Sequence, residues 1–141
     1  MIELVQFEPF HVERMELQPR QKRAVSYSTR QYLGYLKEMG PCVTAIDGEN
    51  VLGCGGVIEW HMGTGTLWLY VCADIKRHAV RLHRAVARLL ETVQLRRIEA
   101  TTEVDWVESC RWLQLLGFEY EGLMRKYGPF GEDHARFARI R

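Results

Sequence analysis

The stretch "SCRWLQLLGFEYEGLMRKYGPFGEDHARFARI", residues 109–140, decides how the chain is read. With the three residues before it, its start gives "WVESCRWLQLL", a helix that Gly117 ends in the manner of a C-cap. "FEYEGLMRKY" and "HARFARI" then read as two closing strands, joined by the turn "GPFGED".

Working outward, "RRIEATTE" reads as the strand before that helix, and residues 75–94 as the longest helix. Its buried stripe is expected at Ala79, Leu82, Val86, Leu89 and Val93, which fall at helical spacing. Ahead of it, "CVTAI" and "VLGCGGVIEW" form a hairpin about the turn "DGEN", and "HMGTGT" turns into the strand "LWLYVC". "STRQYLGYLKEM" reads as a helix capped by Ser28 or Thr29 and stopped at Gly40-Pro41. "IELVQF" is a first strand, "EPFHVERMELQ" a short helix with Pro9 in its first turn, and "PRQKRAVSY" a basic connection. The order β-α-α-β-β-β-α-β-α-β-β predicts an α/β protein, one mixed sheet with helices on both faces, in a single domain over residues 1–141.

The totals narrow the function classes. A net charge of +1 argues against wholesale binding of nucleic acid or anionic membrane, so any basic patch is local. No apolar run reaches the ~20 residues of a transmembrane helix, and "MIELVQFEPF" lacks the pattern of a signal peptide. Cys42, Cys54, Cys72 and Cys110 are far apart, with no CxxC and no zinc spacing. They read as small buried thiols in a reducing, cytoplasmic compartment, and no metal is expected.

The element order over nearly the whole chain resembles the GCN5-related N-acetyltransferase (GNAT) superfamily. The sharpest match lies in the last third, where Leu116-Gly117-Phe118, Glu121-Gly122 and Asp133 follow a common GNAT pattern. It is also similar to small GNAT-like proteins of tailed phages and prophages, including internal virion proteins of short-tailed phages. The resemblance implies a mostly antiparallel sheet splayed between strands four and five, "LWLYVC" and "RRIEATTE". It implies acetyl-CoA as co-substrate, with the backbone of Tyr70, Val71 and Cys72 holding the pantetheine arm. It places the pyrophosphate at the start of the following helix, in "KRHAVRLHR", residues 76–84.

Two departures from the family pattern bear on that implication. The phosphate loop, in the register Arg77-His78-Ala79-Val80-Arg81-Leu82, has Val80 and Leu82 at positions where relatives carry small residues. No glycine occurs from Leu67 through Leu116, so Arg77, His78 and Arg81 would have to grip phosphate with side chains. Leu113 stands where many members carry a tyrosine general acid, with Trp112 beside it. Trp106 replaces the asparagine that often opens this helix, while Ser109 matches a common serine.

Each candidate has a plain structural alternative. Arg77, Arg81, Arg84 and Arg88 form one basic stripe, which is a solvated helix face, a grip on CoA phosphate by its first two residues, or a small footprint for a nucleic-acid backbone. Glu59 and His61 could take the proton from an acceptor ammonium, or simply end a strand. Glu103 and Asp105 compete for that role. Cys110 reads as structural, the four tryptophans as core or rim, His134 as an edge residue, and "GCGG" at 53–56 as a bulge or close backbone packing.

Two functional readings stand. One is an acetyl-CoA-dependent N-acetyltransferase acting on a small-molecule or protein amine in the cytoplasm. The other is a catalytically silent GNAT-fold component of a phage virion, with virion proteins as partners. Neither needs a membrane; in the second the exposed aromatics and the basic stripe would serve protein contacts or packaged DNA, and nucleic acid is otherwise not expected. Both allow a homo-oligomer joined through edge or terminal strands.

Overall fold

The computed structural model describes residues 2–25 and 30–141. Its elements run β1 (Glu3–Gln6), α1 (Pro9–Arg14), α2 (Pro19–Val25), α3 (Arg30–Glu38), β2 (Cys42–Asp47), β3 (Asn50–His61) and β4 (Thr64–Val71). They continue with α4 (Ile75–Thr92), β5 (Arg97–Glu103), α5 (Val107–Leu115), β6 (Glu119–Met124) and β7 (His134–Ile140). The seven strands lie in the order β1-β2-β3-β4-β5-β7-β6. β4 and β5 are parallel, as a strand–helix–strand crossover requires, and the terminal β6–β7 pair is antiparallel.

The segment read as a basic connection is partly helical. Pro19 sits at the first helical position of α2, and Gln21 and Lys22 both donate their backbone N–H to the Gln18 carbonyl. The proposed caps Ser28 and Thr29 lie outside the described residues.

The residues divide into two compact units, Met1–Ile58 with Trp68–Val93, and Glu59–Leu67 with Gln94–Arg141. In the first, β1, β2 and β3 pair antiparallel, and Phe7, Val12, Leu36, Leu52 and Val57 are buried. The "GCGG" run serves close packing. A Cβ on Gly56 would stand 2.6 Å from both the Cys42 Cβ and the Pro41 carbonyl oxygen, so only glycine lets the two strands approach this closely. Along α4 the buried residues are Leu82, Val86, Leu89 and Leu90, followed by Val93. Ala79 is exposed, contrary to its place in the expected stripe: ahead of Leu82 the half-buried positions are Ile75 and His78, so the covered face passes beside Ala79.

In the second unit, β5 pairs with β7 from Arg97↔Ile140 to Glu103↔His134. His134 is therefore not an edge residue: β7 lies between β5 and β6. Gly117 ends α5 in a Schellman motif. With Leu116 as C-cap, Gly117 N–H bonds to the Gln114 carbonyl and Phe118 N–H to the Leu113 carbonyl, both at 3.0 Å. The glycine has φ +94°, a conformation that costs a side chain about 1–2 kcal/mol. Gly122 sits at a register shift in β6, and the Asp133 carboxylate accepts the Lys126 backbone N–H at 2.8 Å to close the β6–β7 turn. The last-third motif is thus a set of backbone devices.

Candidate functional site

The β4–β5 pairing covers Thr64–Thr66 against Arg97–Glu99, and its register does not extend to the last residues of β4. Beyond it, the outer edge of β4 is decided by alternation. Cys72 N–H points to β3, bonding the Leu52 carbonyl at 3.0 Å. Leu69, Val71 and Ala73 therefore present their N–H and C=O groups on the opposite edge.

That edge is covered by the chain between α1 and α2. Glu16–Gln18 runs antiparallel to it, with a bridge between Leu17 and Cys72. Ala73 N–H donates to the Glu16 carbonyl at 2.6 Å, and Gln18 N–H to the Val71 carbonyl at 3.4 Å. Pro19 then starts α2, and two residues on Gln21 returns over the strand. Its carboxamide oxygen accepts Val71 N–H at 2.7 Å, and its Nε2 donates to the Leu69 carbonyl at 2.9 Å. The side chain makes the two bonds that a neighbouring strand would make. Of the expected pantetheine contacts, Val71 is thus engaged on the outer edge and Cys72 N–H is spent on β3.

The start of α4 holds the expected phosphate residues. Asp74 is the N-cap residue, with its carboxylate 3.3 Å from Arg77 Nη1. Arg81 Nη2 lies 3.2 Å from Asp47 Oδ2, at the end of β2, and donates to His78 Nδ1 at 2.6 Å. Arg81 and His78 thus form one cluster with an acidic partner already in place, and Arg77 stands apart, largely exposed, on Asp74. Val80, where relatives carry a small residue, is exposed.

The second unit carries the candidate bases. Glu59 and His61 are exposed near the end of β3 and share one face by strand alternation. Neither side chain makes a hydrogen bond or ion pair among the described residues. Trp60 between them turns the other way and donates its indole N–H to Thr66 at 2.6 Å. Glu103 ends β5 and Asp105 follows in the turn before α5, where both have partners. Ser109 accepts the Thr102 hydroxyl at 2.8 Å and ties α5 to β5. Leu113, in the tyrosine's place, is buried, and its carbonyl anchors the α5 cap.

No cysteine has the setting of a nucleophile. Cys42, Cys54 and Cys72 are buried, and all four thiols are free. Burial pushes the Cys54 thiol up to about 12, and raises Cys110 above its ordinary value as well. Among the described residues, no cluster of three or more His, Cys, Asp or Glu is placed to hold a metal.

Solved structures similar to the chain span it almost end to end. The ribosomal-protein-S18-alanine N-acetyltransferase from Escherichia coli superposes with TM-score 0.77 at 15% identity, covering 99% of this chain and 94% of that one. An acetyltransferase of the GNAT family from Bacillus anthracis gives 0.69 at 18%, covering 99% and 94%. A chimera of the Vibrio cholerae spermidine N-acetyltransferase SpeG with hSSAT gives 0.75 at 14%, covering 99% and 95%. The fold is that of the GNAT acetyltransferases. No protein-family model matches the sequence, and no curated protein matches it either. The GNAT fold is thus carried here by a sequence that has diverged from the matched structures at more than four positions in five.

Reading the sequence missed three residues of this site: Gln21, Asp47 and Asp74. Asp74 had a local signal, an acidic residue just before a helix. Gln21 acts on residues 48 and 50 positions away, and Asp47 on one 34 positions away, so no local pattern announces either.

Proposed function

We propose that the chain is a single-domain acetyl-CoA-dependent N-acetyltransferase of the small phage type, with a phosphate grip built from side chains. The observation that carries this reading is the outer edge of β4 leading into Arg77, His78 and Arg81. An edge that binds the Gln21 carboxamide by one N–H and one C=O has the complement of an amide-bearing arm, and pantetheine carries secondary amides. Acetyl-CoA would supply the acyl group already activated as a thioester. On the outer edge Val71 would align the arm by backbone contacts, whereas Tyr70 and Cys72, expected to share that role, turn their backbone groups toward β3. Arg77, His78 and Arg81 would neutralise the pyrophosphate. Glu59 or His61 would take the proton from the acceptor ammonium, which needs the solvent-exposed position both residues have. With Leu113 buried where relatives carry a tyrosine, the leaving thiolate would take its proton from water.

The N-acetyltransferase likeness supports an amine acceptor, protein or small molecule, and the free, mostly buried cysteines support a cytoplasmic setting. Among the described residues, no helix is long and apolar enough to cross a membrane. The test is release of free CoA thiol from acetyl-CoA in the presence of a panel of peptide N-termini and polyamines. One acceptor should give turnover that falls at least about tenfold in Glu59→Gln or His61→Asn, given the usual contribution of a general base. No turnover with any amine would refute the reading.

A second reading is favoured by one observation: the chain's own groups already occupy the expected site, Gln21 on β4 and Asp47 on Arg81. A silent GNAT-fold virion component would keep such contacts permanently. It predicts no acetyl-CoA binding at all, and co-purification with virion proteins.

A further inference from the structure

This inference rests on the acetyl-CoA reading and concerns how that site is kept closed. We propose that Gln21 is a gate: its carboxamide holds the outer edge of β4 in the resting protein and yields it only to an acyl carrier that brings amides of its own.

The edge of β4 carries two kinds of cover. The Val71 carbonyl and Ala73 N–H are bonded by main chain, from Gln18 and Glu16. That main chain is fixed by the Leu17–Cys72 bridge and by the start of α2, so it opens only if the segment shifts. The Leu69 carbonyl and Val71 N–H are bonded by a side chain, the Gln21 carboxamide. A side chain leaves by rotating its own bonds, with the backbone unmoved. The removable cover therefore lies on the two groups nearest the end of the β4–β5 pairing at Thr66.

The chemistry of the exchange sets what can open the gate. A carboxamide has two N–H donors and one C=O acceptor, and Gln21 sets one N–H and the C=O side by side on this edge. A trans secondary amide turns its N–H and C=O in opposite directions, so remaking both bonds takes two amides of the carrier, one for each bond. When the two pantetheine amides take the edge, one accepting Val71 N–H and the other donating to the Leu69 carbonyl, both bonds are remade and the released Gln21 is hydrated. A carrier without these amides leaves Val71 N–H and the Leu69 carbonyl unpaired, which is costly once water is excluded. The gate thus discriminates by what it would leave unsatisfied, not by shape. Its cost is a population term: if the closed form outweighs the open form, the apparent dissociation constant rises by that ratio. Two hydrogen bonds of ordinary net strength make the ratio about thirtyfold.

The experiment is calorimetric titration of acetyl-CoA into the wild type, Gln21→Ala and Gln21→Met. Methionine keeps the length of the side chain and loses both bonds, so it separates hydrogen bonding from bulk. Both variants are expected to bind about thirtyfold more tightly than the wild type. A companion measurement needs no variant: in NMR spectra of the wild type, the Gln21 carboxamide protons should lose exchange protection on saturation with acetyl-CoA, while Val71 N–H stays protected. Binding by the wild type that is unchanged or weakened in both variants overturns the gate and leaves the acetyl-CoA reading intact. Protection of the Gln21 protons that persists at saturation overturns it too. Absence of binding in all three proteins overturns the gate and the reading together.

Discussion

Alanine introduced at Gly34 and at Gly117 should move stability in opposite directions. Gly34 lies inside α3, and a Cβ built there meets nothing within 4 Å. Its conformation is ordinary helix, so alanine removes the entropic penalty of glycine and gains about 0.5–1 kcal/mol. Gly117 has φ +94°, and its nearest neighbour to a new Cβ is the Arg139 Nε at 3.6 Å, an ordinary contact. Space is therefore not the obstacle; backbone conformation is. The left-handed form costs alanine about 1–2 kcal/mol. Stiffening of the unfolded chain returns about 0.4–1 kcal/mol of that. The net loss is on the order of 1 kcal/mol, or about 3–5 °C in Tm for a chain of this size. Urea unfolding followed by circular dichroism measures both, with the m-value expected to stay constant. A destabilised Gly34→Ala, or a Gly117→Ala as stable as the wild type, would refute the reasoning from backbone conformation.

Three further outcomes follow from the geometry. Asp47→Asn should tighten acetyl-CoA binding by a few-fold at most in a calorimetric titration, because it frees Arg81 from a partly exposed, solvent-screened pair; weaker binding would mean Asp47 positions Arg81. Cys54 should resist a thiol reagent at pH 8 in the native protein, since burial holds its pKa at about 12, and react only on unfolding; mass mapping of labelled peptides checks this, with Cys110, the least buried of the four, expected to label first. His11 is buried against Thr44 and titrates below its ordinary value of 6.5 because burial disfavours the imidazolium. In the window just below pH 6.5 the unfolded chain therefore binds the proton that the native state refuses. Stability from this group is full above that pH and declines as pH falls toward the lowered native value. NMR titration of the His11 ring should give a pKa below 6.5, and a raised value would reverse the sign.

The sequence announced the fold through features that act locally. Gly117 carries its meaning in its own φ, and the Asp133 carboxylate reaches only seven residues back to Lys126. Such signals survive in a chain whose identity to the matched structures is 18% or less. The helix α2 was hidden because "PRQKR" is polar and short, and its start depends on where Gln18 is held against β4. Ala79 falls outside the buried stripe because a small residue at helical spacing does not fix the centre of the face, which runs through Ile75, His78 and Leu82. The site residues were legible by type, since Arg77, His78 and Arg81 stand out as a basic cluster. Their partners were not. Asp47 and Gln21 meet them only through the folding of distant segments, and those partners decide whether the site is open.

The most direct test of the account is calorimetric titration of acetyl-CoA into the wild type and into an Arg77→Ala/Arg81→Ala double variant. The account predicts micromolar binding that weakens by about tenfold or more when two charge-assisted phosphate contacts are removed. No binding, or binding that the double variant leaves unchanged, would contradict it.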